Sequence, residues 1–371
     1  MGLPKISDQT LRQVARLSLG GQRLRIVISN EYGKDPLRVA AAHLGRTAPG
    51  GAIAPQTDRR VTFSGAFSVV VPPGARLVSD PVDLPTPALS EVSVSLYFPG
   101  EAPATTFHWD GKQTAYIGSG DVAARAAFTP AATTLSRLFL SDILVERAVD
   151  SDAVLVLGDS ITDGASATVD ANRRWTDYLA ERLAPRNVAV VNAGISGARV
   201  LKSRMGVSAL ERFDRDILAQ PHVRAVVVLI GINDISWPGS AFEPDAPATA
   251  AEELIAGYRQ LIQRARLKGL RIVGATLSPF RGALEGTPLW GYYSPEKDRT
   301  RQAVNQWIRT SGEFDGVIDF DAALRDPADP SRLRANVDSG DHLHPGDAGN
   351  KAMSDMVDLA VLLGPQPAGR R

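Results

Sequence analysis

Serine, aspartate and histidine, which can cooperate in nucleophilic catalysis, stand in this order at Ser160, Asp341 and His344. A serine hydroxyl is a weak nucleophile until a histidine accepts its proton, and the histidine needs a carboxylate to fix its tautomer and stabilise its charge. The three-residue spacing of Asp341 and His344 can place both side chains on one side of a short loop. The order Ser, Asp, His is typical of hydrolases built on a parallel sheet. These residues predict acyl transfer through a serine nucleophile.

Other polar motifs surround this candidate triad in the sequence. Ser160 lies in GDSITDG, which differs from the G-x-S-x-G nucleophile elbow of α/β-hydrolases. Gly194 lies in NAGISG, and Asn233 lies in Gly231-x-Asn233-Asp234. Each motif alone has a structural explanation as a turn or a helix cap. Their joint occurrence in this order favours a hydrolase.

The elements that must position these motifs begin near Ala153, where continuous apolar strands alternate with helical stretches. This pattern predicts a parallel sheet covered on both faces. The predicted strands are AVLVLG from Ala153, VAVVNA from Val188, AVVVLIG from Ala225, RIVGATL from Arg271 and GVIDF from Gly316. Ligands bind beyond the carboxyl ends of such strands. Since three motifs follow strands and the fourth precedes a helical stretch, we expect all four loops to converge on one rim.

Two helices are predicted in this half. The first spans TAAEELIAGYRQLIQRARLKG, with a capping box formed by Thr249 and Glu252 and an end at Gly269. The second begins at Ser294-Pro295 and runs through Trp307. The segment SWPGSAFEPDAPATA, from Ser236, is predicted to be a long irregular loop.

Residues 1–148 have a different, alternating pattern that predicts half-buried strands. The predicted strands are LRIVISN from Leu24, VTFSGAFSVVV from Val61, EVSVSLYF from Glu91, TTFHWD from Thr105 and LSRLFLSDILVE from Leu135. Several short strands without a long helix favour a β-sandwich or jelly-roll-like domain. We therefore expect an accessory domain over 1–148 and a catalytic domain over 149–371. The short linker between them leads us to expect firm packing.

The four motifs resemble those of bacterial SGNH (GDSL-type) serine esterases that carry an amino-terminal β-sandwich domain. Ile161 replaces the family's leucine conservatively. The resemblance covers residues 150–360 and implies a flavodoxin-like, three-layer α/β catalytic domain. It implies an oxyanion hole formed by the backbone N–H groups of Ser160 and Gly194 and the Asn233 amide. It further implies no cofactor or metal, and short acyl esters, acetyl above all, on carbohydrate or small alcohols as substrates.

Composition excludes several other classes of function. The 41 basic and 41 acidic residues cancel, so nucleic-acid binding is not expected. The absence of cysteine excludes thiolate catalysis and thiolate-rich zinc sites. No apolar run approaches the roughly 20 residues of a membrane helix. The start MGLPKISDQ predicts no signal peptide, which leaves the cytoplasm open, whereas the resemblance implies a secreted or periplasmic enzyme. Oligomeric state stays open.

The remaining candidate residues have structural as well as functional explanations. His342, His344 and Asp341 could form an H-x-H metal site, but no third histidine stands in a recognisable ligand position. Asp159, Asp163 and Asp234 are expected to hold the active-site loops by hydrogen bonds. His43, His108 and His222 are expected to be surface or satisfied core residues. Trp237, Tyr292 and Tyr293 lie in loops that could line an acyl or sugar subsite, but ordinary packing is expected for each. The alternative functions are a thioesterase, lysophospholipase or amidase on the same fold, and a carbohydrate-binding protein with a vestigial site.

Overall fold

A computed structural model describes residues 3–365 of the chain. The outermost residues of both predicted domains, 1–2 and 366–371, lie outside this range. The chain divides into two compact units. The first contains the described residues up to Ser151 together with Val169–Asn172, and the second contains Asp152–Thr168 and the described residues from Arg173 onward. No helix among the described residues is long and apolar enough to cross a membrane.

The first unit consists of strands and one short 3₁₀ turn, Pro49–Gly51. Its strands are β1 (Gln9–Arg16), β2 (Gly21–Ser29), β3 (Leu37–Val39), β4 (Ala41–Ala48), β5 (Ala52–Ile53), β6 (Arg59–Arg60), β7 (Val69–Val71), β8 (Arg76–Val78), β9 (Val82–Thr86), β10 (Glu91–Phe98), β11 (Phe107–His108), β12 (Ala115–Ser119), β13 (Ala132–Thr134), β14 (Arg137–Leu138) and β15 (Leu140–Glu146).

Two larger antiparallel sheets organise this unit. One has the order β13-β12-β1-β10-β4-β5 with β6 paired to β4, and the other has the order β15-β2-β8 with β9 paired to β2. One apolar cluster contains residues from both sheets, such as Leu11, Val94, Ile26 and Leu140, so the sheets share a core. The strand-rich architecture is confirmed, whereas the finer jelly-roll-like topology stays a prediction.

Strand β10 is more buried than its alternating pattern predicts. Val92 and Val94 lie on one face and are fully buried as expected, but Ser93 and Ser95 on the opposite face are fully buried too. Both hydroxyls have partners, since Arg12 Nε donates a 2.7 Å hydrogen bond to Ser95 Oγ, and Ser93 Oγ lies 2.9 Å from Thr47 Oγ1 and donates to the Gly51 carbonyl at 3.2 Å. A polar face can be covered when its polar groups find partners inside the protein.

Two predicted strands of the first unit are shorter than expected. In VTFSGAFSVVV only β7 is a strand, because residues 63–66 close a turn in which Phe63 and Ala66 bond each other's backbone. In LSRLFLSDILVE the strand is interrupted at Phe139, whose φ of 60° separates β14 from β15. A positive φ breaks strand geometry, and the apolar pattern alone does not reveal it.

The second unit contains a five-stranded parallel sheet in the order β17-β16-β18-β19-β20. All five strands lie where the sequence predicts them: β16 (Asp152–Gly158), β17 (Val188–Gly194), β18 (Val223–Leu229), β19 (Arg271–Ala275) and β20 (Gly316–Ile318). Gly158 pairs with Gly194 on one side and with Leu229 on the other, so β16, β17 and β18 end together. This shared register brings the loops that follow these three strands to one edge. The flavodoxin-like layout stays a prediction.

Nine α-helices accompany this sheet in the described part of the chain: α1 (Ser160–Asp163), α2 (Trp175–Leu183), α3 (Ala209–Phe213), α4 (Ile232–Ser236), α5 (Ala251–Leu267), α6 (Pro295–Thr310), α7 (Phe320–Leu324), α8 (Asp347–Met356) and α9 (Leu359–Leu363). A 3₁₀ turn spans Ala184–Arg186 and a π-helical turn spans Asp214–Leu218. The core packs sheet residues such as Leu155 and Val227 against helix residues such as Leu179, Leu261 and Val304.

The predicted capping box of α5 is wrong. The helix begins one residue later than that motif requires: Ala250 is the N-cap, and it makes no side-chain cap hydrogen bond. Glu252 is consequently the second helical residue, where a carboxylate still favours the positive end of the helix dipole. The other helix signals are confirmed, since Gly269 follows the α5 C-cap with φ 65°, and Ser294 caps α6 by accepting a hydrogen bond from the Lys297 N–H.

Candidate active site

Ser160, His344 and Asp341 form one chain of hydrogen bonds. His344 Nε2 lies 2.8 Å from Ser160 Oγ, and His344 Nδ1 lies 2.6 Å from Asp341 Oδ2. Because a carboxylate only accepts hydrogen bonds, the imidazole proton belongs on Nδ1, which leaves the Nε2 lone pair for the serine hydroxyl. This arrangement can remove the serine proton during attack on a carbonyl carbon.

Asp341 is held in its ionised form by its own loop. Its Oδ1 accepts the backbone N–H groups of Leu343 at 2.9 Å and His344 at 2.8 Å, and the Ser339 hydroxyl at 3.0 Å. Partial burial opposes ionisation, but the His344 side chain and these donors outweigh it and hold the Asp341 pKa well below its usual range. A carboxylate that is ionised near neutral pH can orient His344 and stabilise the imidazolium form.

Ser160 is the first residue of α1, directly after β16. Its N-cap, Asp159, accepts a 3.0 Å hydrogen bond from the Ile161 N–H, which leaves the Ser160 backbone N–H without an acceptor among residues 3–365. Position 158 needs a glycine because the Thr162 side chain lies close to it: a Cβ at this position would be 2.2 Å from Thr162 Oγ1. The GDS sequence therefore turns the chain sharply and presents both the hydroxyl and the N–H of Ser160 at the strand end.

The three aspartates predicted to hold the active-site loops do so. Asp163 accepts hydrogen bonds from the N–H and hydroxyl of Ser196, at 3.1 and 2.7 Å. Asp234 accepts the N–H groups of Val200 and Leu201, at 2.8 and 3.0 Å. Together with the cap formed by Asp159, these bonds tie the loop after β17 to the loops after β16 and β18.

Burial disfavours the charge on two of these carboxylates. Desolvation raises the pKa of Asp159 to about 7, although the Ile161 N–H and His344 oppose the shift. Desolvation also raises the pKa of Asp234 to about 6 against the hydrogen bonds from Val200 and Leu201. The site thus contains carboxylates of opposite character, since the pKa of Asp341 is lowered and that of Asp159 is raised.

Asn233 lies in α4, immediately beyond β18, and its side chain is buried. Its Nδ2 donates to the Ala198 carbonyl at 3.0 Å, and its Oδ1 accepts the Tyr292 hydroxyl at 2.7 Å. Gly231 begins this turn with a φ of 138°, and a Cβ there would lie 2.4 Å from Tyr258 Oη. The second Nδ2 hydrogen has no acceptor among the described residues, so it can donate to a bound oxyanion.

Gly194 is not placed as the sequence predicts for an oxyanion donor. Its N–H already donates to the Asn192 side chain at 2.8 Å, and a Cβ on it would lie 2.4 Å from the Asp163 backbone nitrogen. Its smallness therefore serves the close packing of β17 against α1. Gly197, which sequence reasoning missed, has φ 78° and an N–H without an acceptor among residues 3–365. Gly197 directly precedes Ala198, whose carbonyl accepts a hydrogen bond from Asn233. Gly197 is the second glycine of NAGISG, and this glycine could have identified it from the sequence.

The H-x-H metal interpretation is not supported by the geometry. The two histidines bond separate carboxylates, because His342 Nδ1 lies 2.5 Å from Asp338 Oδ2 while His344 faces Asp341. Within residues 3–365, no group of three or more histidine, cysteine, aspartate or glutamate side chains could hold a metal ion. Of the remaining histidines, His43 is buried against Asp58 and His222 is exposed, as predicted.

The aromatic residues near the site are packed, as the structural interpretation predicts. Trp237 and Tyr292 are almost fully buried, in a small cluster with Ile232, Phe280 and Leu343. Ile232 adjoins Asn233 and Leu343 adjoins His344 in the chain. This cluster therefore anchors the two loops that carry the candidate amide and the candidate base.

Comparison with known proteins points to one family. A model of the GDSL-like lipase/acylhydrolase family matches residues 156–352, more than half of the chain. Similar solved structures include Est24, a carbohydrate acetylesterase from Sinorhizobium meliloti, at 15% identity and a TM-score of 0.42, covering 55% of this chain and 95% of that one. Axe2, an acetylxylan esterase from Geobacillus stearothermophilus, is 22% identical with a TM-score of 0.39, covering 55% and 91%. No curated protein sequence matches.

Proposed function

The chain belongs to the GDSL-like lipase/acylhydrolase family, and from that premise we propose that it is a serine esterase cleaving short-chain carboxylic esters through an acyl-enzyme on Ser160. The observation that carries this proposal is the continuous hydrogen-bonded chain from Ser160 Oγ through His344 to Asp341. All the proposed site residues lie in the second unit. We assign residues 1–148 an accessory role.

The reaction begins when Ser160 Oγ attacks the ester carbonyl carbon while His344 Nε2 takes the hydroxyl proton. The resulting imidazolium is stabilised by the Asp341 carboxylate at Nδ1. Collapse of the tetrahedral intermediate breaks the bond to the alcohol oxygen, and His344 returns its proton to the leaving alcohol. The products of this half-reaction are the free alcohol and an acyl ester on Ser160.

Three donors stabilise the negative oxygen of the tetrahedral intermediate in this proposal. They are the backbone N–H of Ser160, the Asn233 amide and the backbone N–H of Gly197, which takes the place of Gly194 because the Gly194 N–H already has a partner. Donors fixed before the reaction and aimed at developing charge are often the largest catalytic contribution.

Water completes the cycle. His344 Nε2 removes a proton from a water molecule as the water oxygen attacks the acyl carbon. The second tetrahedral intermediate then collapses with cleavage of the bond to Ser160 Oγ, which takes the proton back from His344, and the carboxylic acid is released. Each step uses side chains and backbone groups already present, so the proposal requires no cofactor.

A short acyl group is supported by the packing around the site. Ile232 and Leu343, the apolar neighbours of Asn233 and His344, are each only 2% exposed. Their surfaces contact other protein side chains in the aromatic cluster, so these two residues offer little apolar surface to a long acyl chain. The family resemblance makes acetyl esters of carbohydrates and small alcohols the first substrates to test.

The test is a substrate panel on the full chain. It contains p-nitrophenyl esters of increasing acyl length, acetylated xylan, a thioester, a lysophospholipid and an amide, each assayed with the wild type and with Ser160→Ala. We expect the highest kcat/KM on acetyl esters and a loss of roughly 10⁴-fold or more in turnover for the variant. Labelling by a fluorophosphonate should disappear in parallel.

Other outcomes would select the alternative functions. Preference for the thioester, the lysophospholipid or the amide would replace the esterase by another acyl hydrolase on the same site. No turnover of any substrate, together with binding of acetylated xylan, would support a carbohydrate-binding protein with a vestigial site. Labelling that persists in Ser160→Ala would reveal another nucleophile.

A further inference from the structure

The Asn233 amide has one hydrogen-bond partner on each side. Its Nδ2 donates to the Ala198 carbonyl at 3.0 Å, and its Oδ1 accepts the Tyr292 hydroxyl at 2.7 Å. Both Asn233 and Tyr292 are only 3% exposed, so water does not readily replace either partner. The orientation of this amide is therefore set by the protein.

The two partners select the same orientation. If the amide were rotated by 180°, Oδ1 would face the Ala198 carbonyl, which can only accept hydrogen bonds, and two acceptors would repel each other. The rotated amide would also direct an oxygen instead of an N–H hydrogen toward the developing oxyanion. A donor at Oδ1 adds to the preference for the productive orientation and restricts the amide's rotation.

Tyr292 is itself held firmly. Its ring makes edge-to-face contacts with Phe242 and Phe280, with centroid distances of 6.2 and 6.3 Å. Burial, with the nearby Asp159 carboxylate adding to it, raises the pKa of Tyr292 well above its ordinary value, so the hydroxyl stays protonated. The loop between β19 and α6 therefore presents a fixed O–H donor to Asn233.

We propose that Tyr292 is a positioning residue that orients the Asn233 amide for oxyanion stabilisation, a role that rests on the esterase proposed above. The sequence suggested this residue only as a packed aromatic or a subsite wall. Because its hydroxyl is buried and bonded to Asn233, Tyr292 acts on the reaction through the amide and not through contact with substrate.

The chain offers a matched control next to it. Tyr293 follows in the same loop and packs edge-to-face on Phe280 at 5.2 Å, within the same aromatic cluster. Tyr292→Phe and Tyr293→Phe each remove a single hydroxyl group from neighbouring rings. Only the first removes the donor to Asn233.

A double-mutant cycle on the full chain tests the proposal with p-nitrophenyl acetate as substrate. We expect Tyr292→Phe to lower kcat about tenfold with little change in KM, since roughly this loss accompanies removal of one hydrogen bond. Asn233→Ala should lower kcat by about 10²- to 10³-fold. In the Asn233→Ala background, Tyr292→Phe should lower kcat by less than about twofold, because its target is gone.

A merely structural role for Tyr292 gives a different pattern, with the same fractional loss of kcat in both backgrounds, and that pattern would overturn the proposal. So would wild-type kcat in Tyr292→Phe, or an equal loss in Tyr293→Phe. Assays run well below the melting temperature of each variant, measured by circular dichroism, keep unfolding out of the comparison. If instead the wild type lacks esterase activity, or Ser160→Ala keeps it, the proposed function itself fails.

Discussion

Two loops of the second unit each contain two residues of the same type that could serve in the active site. In each loop, tertiary contacts distinguish the two residues. The loop 338–344 holds two histidine–aspartate pairs, with His342 bonded to Asp338 and His344 bonded to Asp341. Only His344 reaches Ser160. The loop after β17 holds Gly194 and Gly197, and only Gly197 keeps an N–H without an acceptor among the described residues.

A histidine–carboxylate pair forms a candidate catalytic site only when the histidine also contacts a nucleophile. His342 and His344 bond carboxylates through the same nitrogen at almost the same distance, 2.5 and 2.6 Å. His342 adopts φ 61°, a region that histidine enters more readily than most residues, and its side chain is 43% exposed. Asp338 also accepts the N–H groups of Gly340 and His342, so this pair stabilises the loop.

The largest expected difference lies between the two histidines. His344→Ala removes the proposed base and should lower kcat by roughly 10⁴-fold or more. His342→Ala removes a contact within the loop and should change kcat by less than about tenfold, with any larger effect appearing in melting temperature. Parallel kcat and melting measurements check this prediction. Equal losses of kcat would mean that both histidines take part in the reaction.

Asn233→Ala should give the next largest loss of kcat. In Asn233→Ala the oxyanion loses a side-chain donor, and we expect kcat to fall about 10²- to 10³-fold while KM changes much less. The measurement is a full Michaelis–Menten analysis with an acetyl ester. A rise in KM at unchanged kcat would place Asn233 in ground-state binding instead.

The two glycines should separate catalysis from packing. Gly194→Ala drives a Cβ to within 2.4 Å of backbone, which cannot move freely, so we expect a large fall in melting temperature. Gly197→Ala strains a positive φ and places a Cβ 2.8 Å from Met205 Sδ, which can move because this side chain is exposed, and 2.9 Å from Met205 Cβ, which moves only with its backbone. Its melting temperature should fall less, by the equivalent of about 1–2 kcal/mol, while kcat falls about tenfold as the N–H shifts. The opposite pattern would restore Gly194 as the donor.

Asp159 should make the stability of the folded protein depend on pH. The pKa of Asp159 is about 7 in the folded protein, above the ordinary value of 3.8, so between these pH values the folded state holds a proton that the unfolded state has lost. Stability therefore decreases as pH rises through this window, by at most about 4 kcal/mol. Asp159→Asn should remove this contribution, while its side-chain oxygen can still accept the Ile161 N–H.

The measurement is the melting temperature at pH 5 and pH 8. We expect the wild type to lose more stability between these values than Asp159→Asn does, by a few degrees. Asp245→Asn, at an exposed position, serves as the control and should follow the wild type. Identical pH dependence in all three proteins would mean that Asp159 is ionised in the folded state across this range.

Local sequence patterns predicted the elements of the second unit well. Continuous apolar strands and signals such as Ser294-Pro295 act over a few residues, and all five predicted strands were found. The contacts of Ser160, His344 and Asp341 could also be predicted, from the position of Ser160 at a strand end of the parallel sheet and from the three-residue spacing of Asp341 and His344. Predictions failed where distant partners intervened, as at Ser95, which bonds Arg12, and at Phe139, whose backbone bonds Ser29 and Thr106 and whose positive φ breaks a strand.

The sequence by itself determined the residue types of the site and their order along the chain, and with them the family and the acyl-transfer chemistry. The tertiary structure alone decided which copy of a duplicated residue keeps the hydrogen-bonding group that the site needs. Asn192 occupies the N–H of Gly194, Nε2 of His344 but not that of His342 reaches Ser160, and Tyr292 orients Asn233 from 59 positions along the chain. Whether a donor or acceptor is free depends on partners that only folding brings together, because nearly all buried polar groups in proteins are hydrogen-bonded.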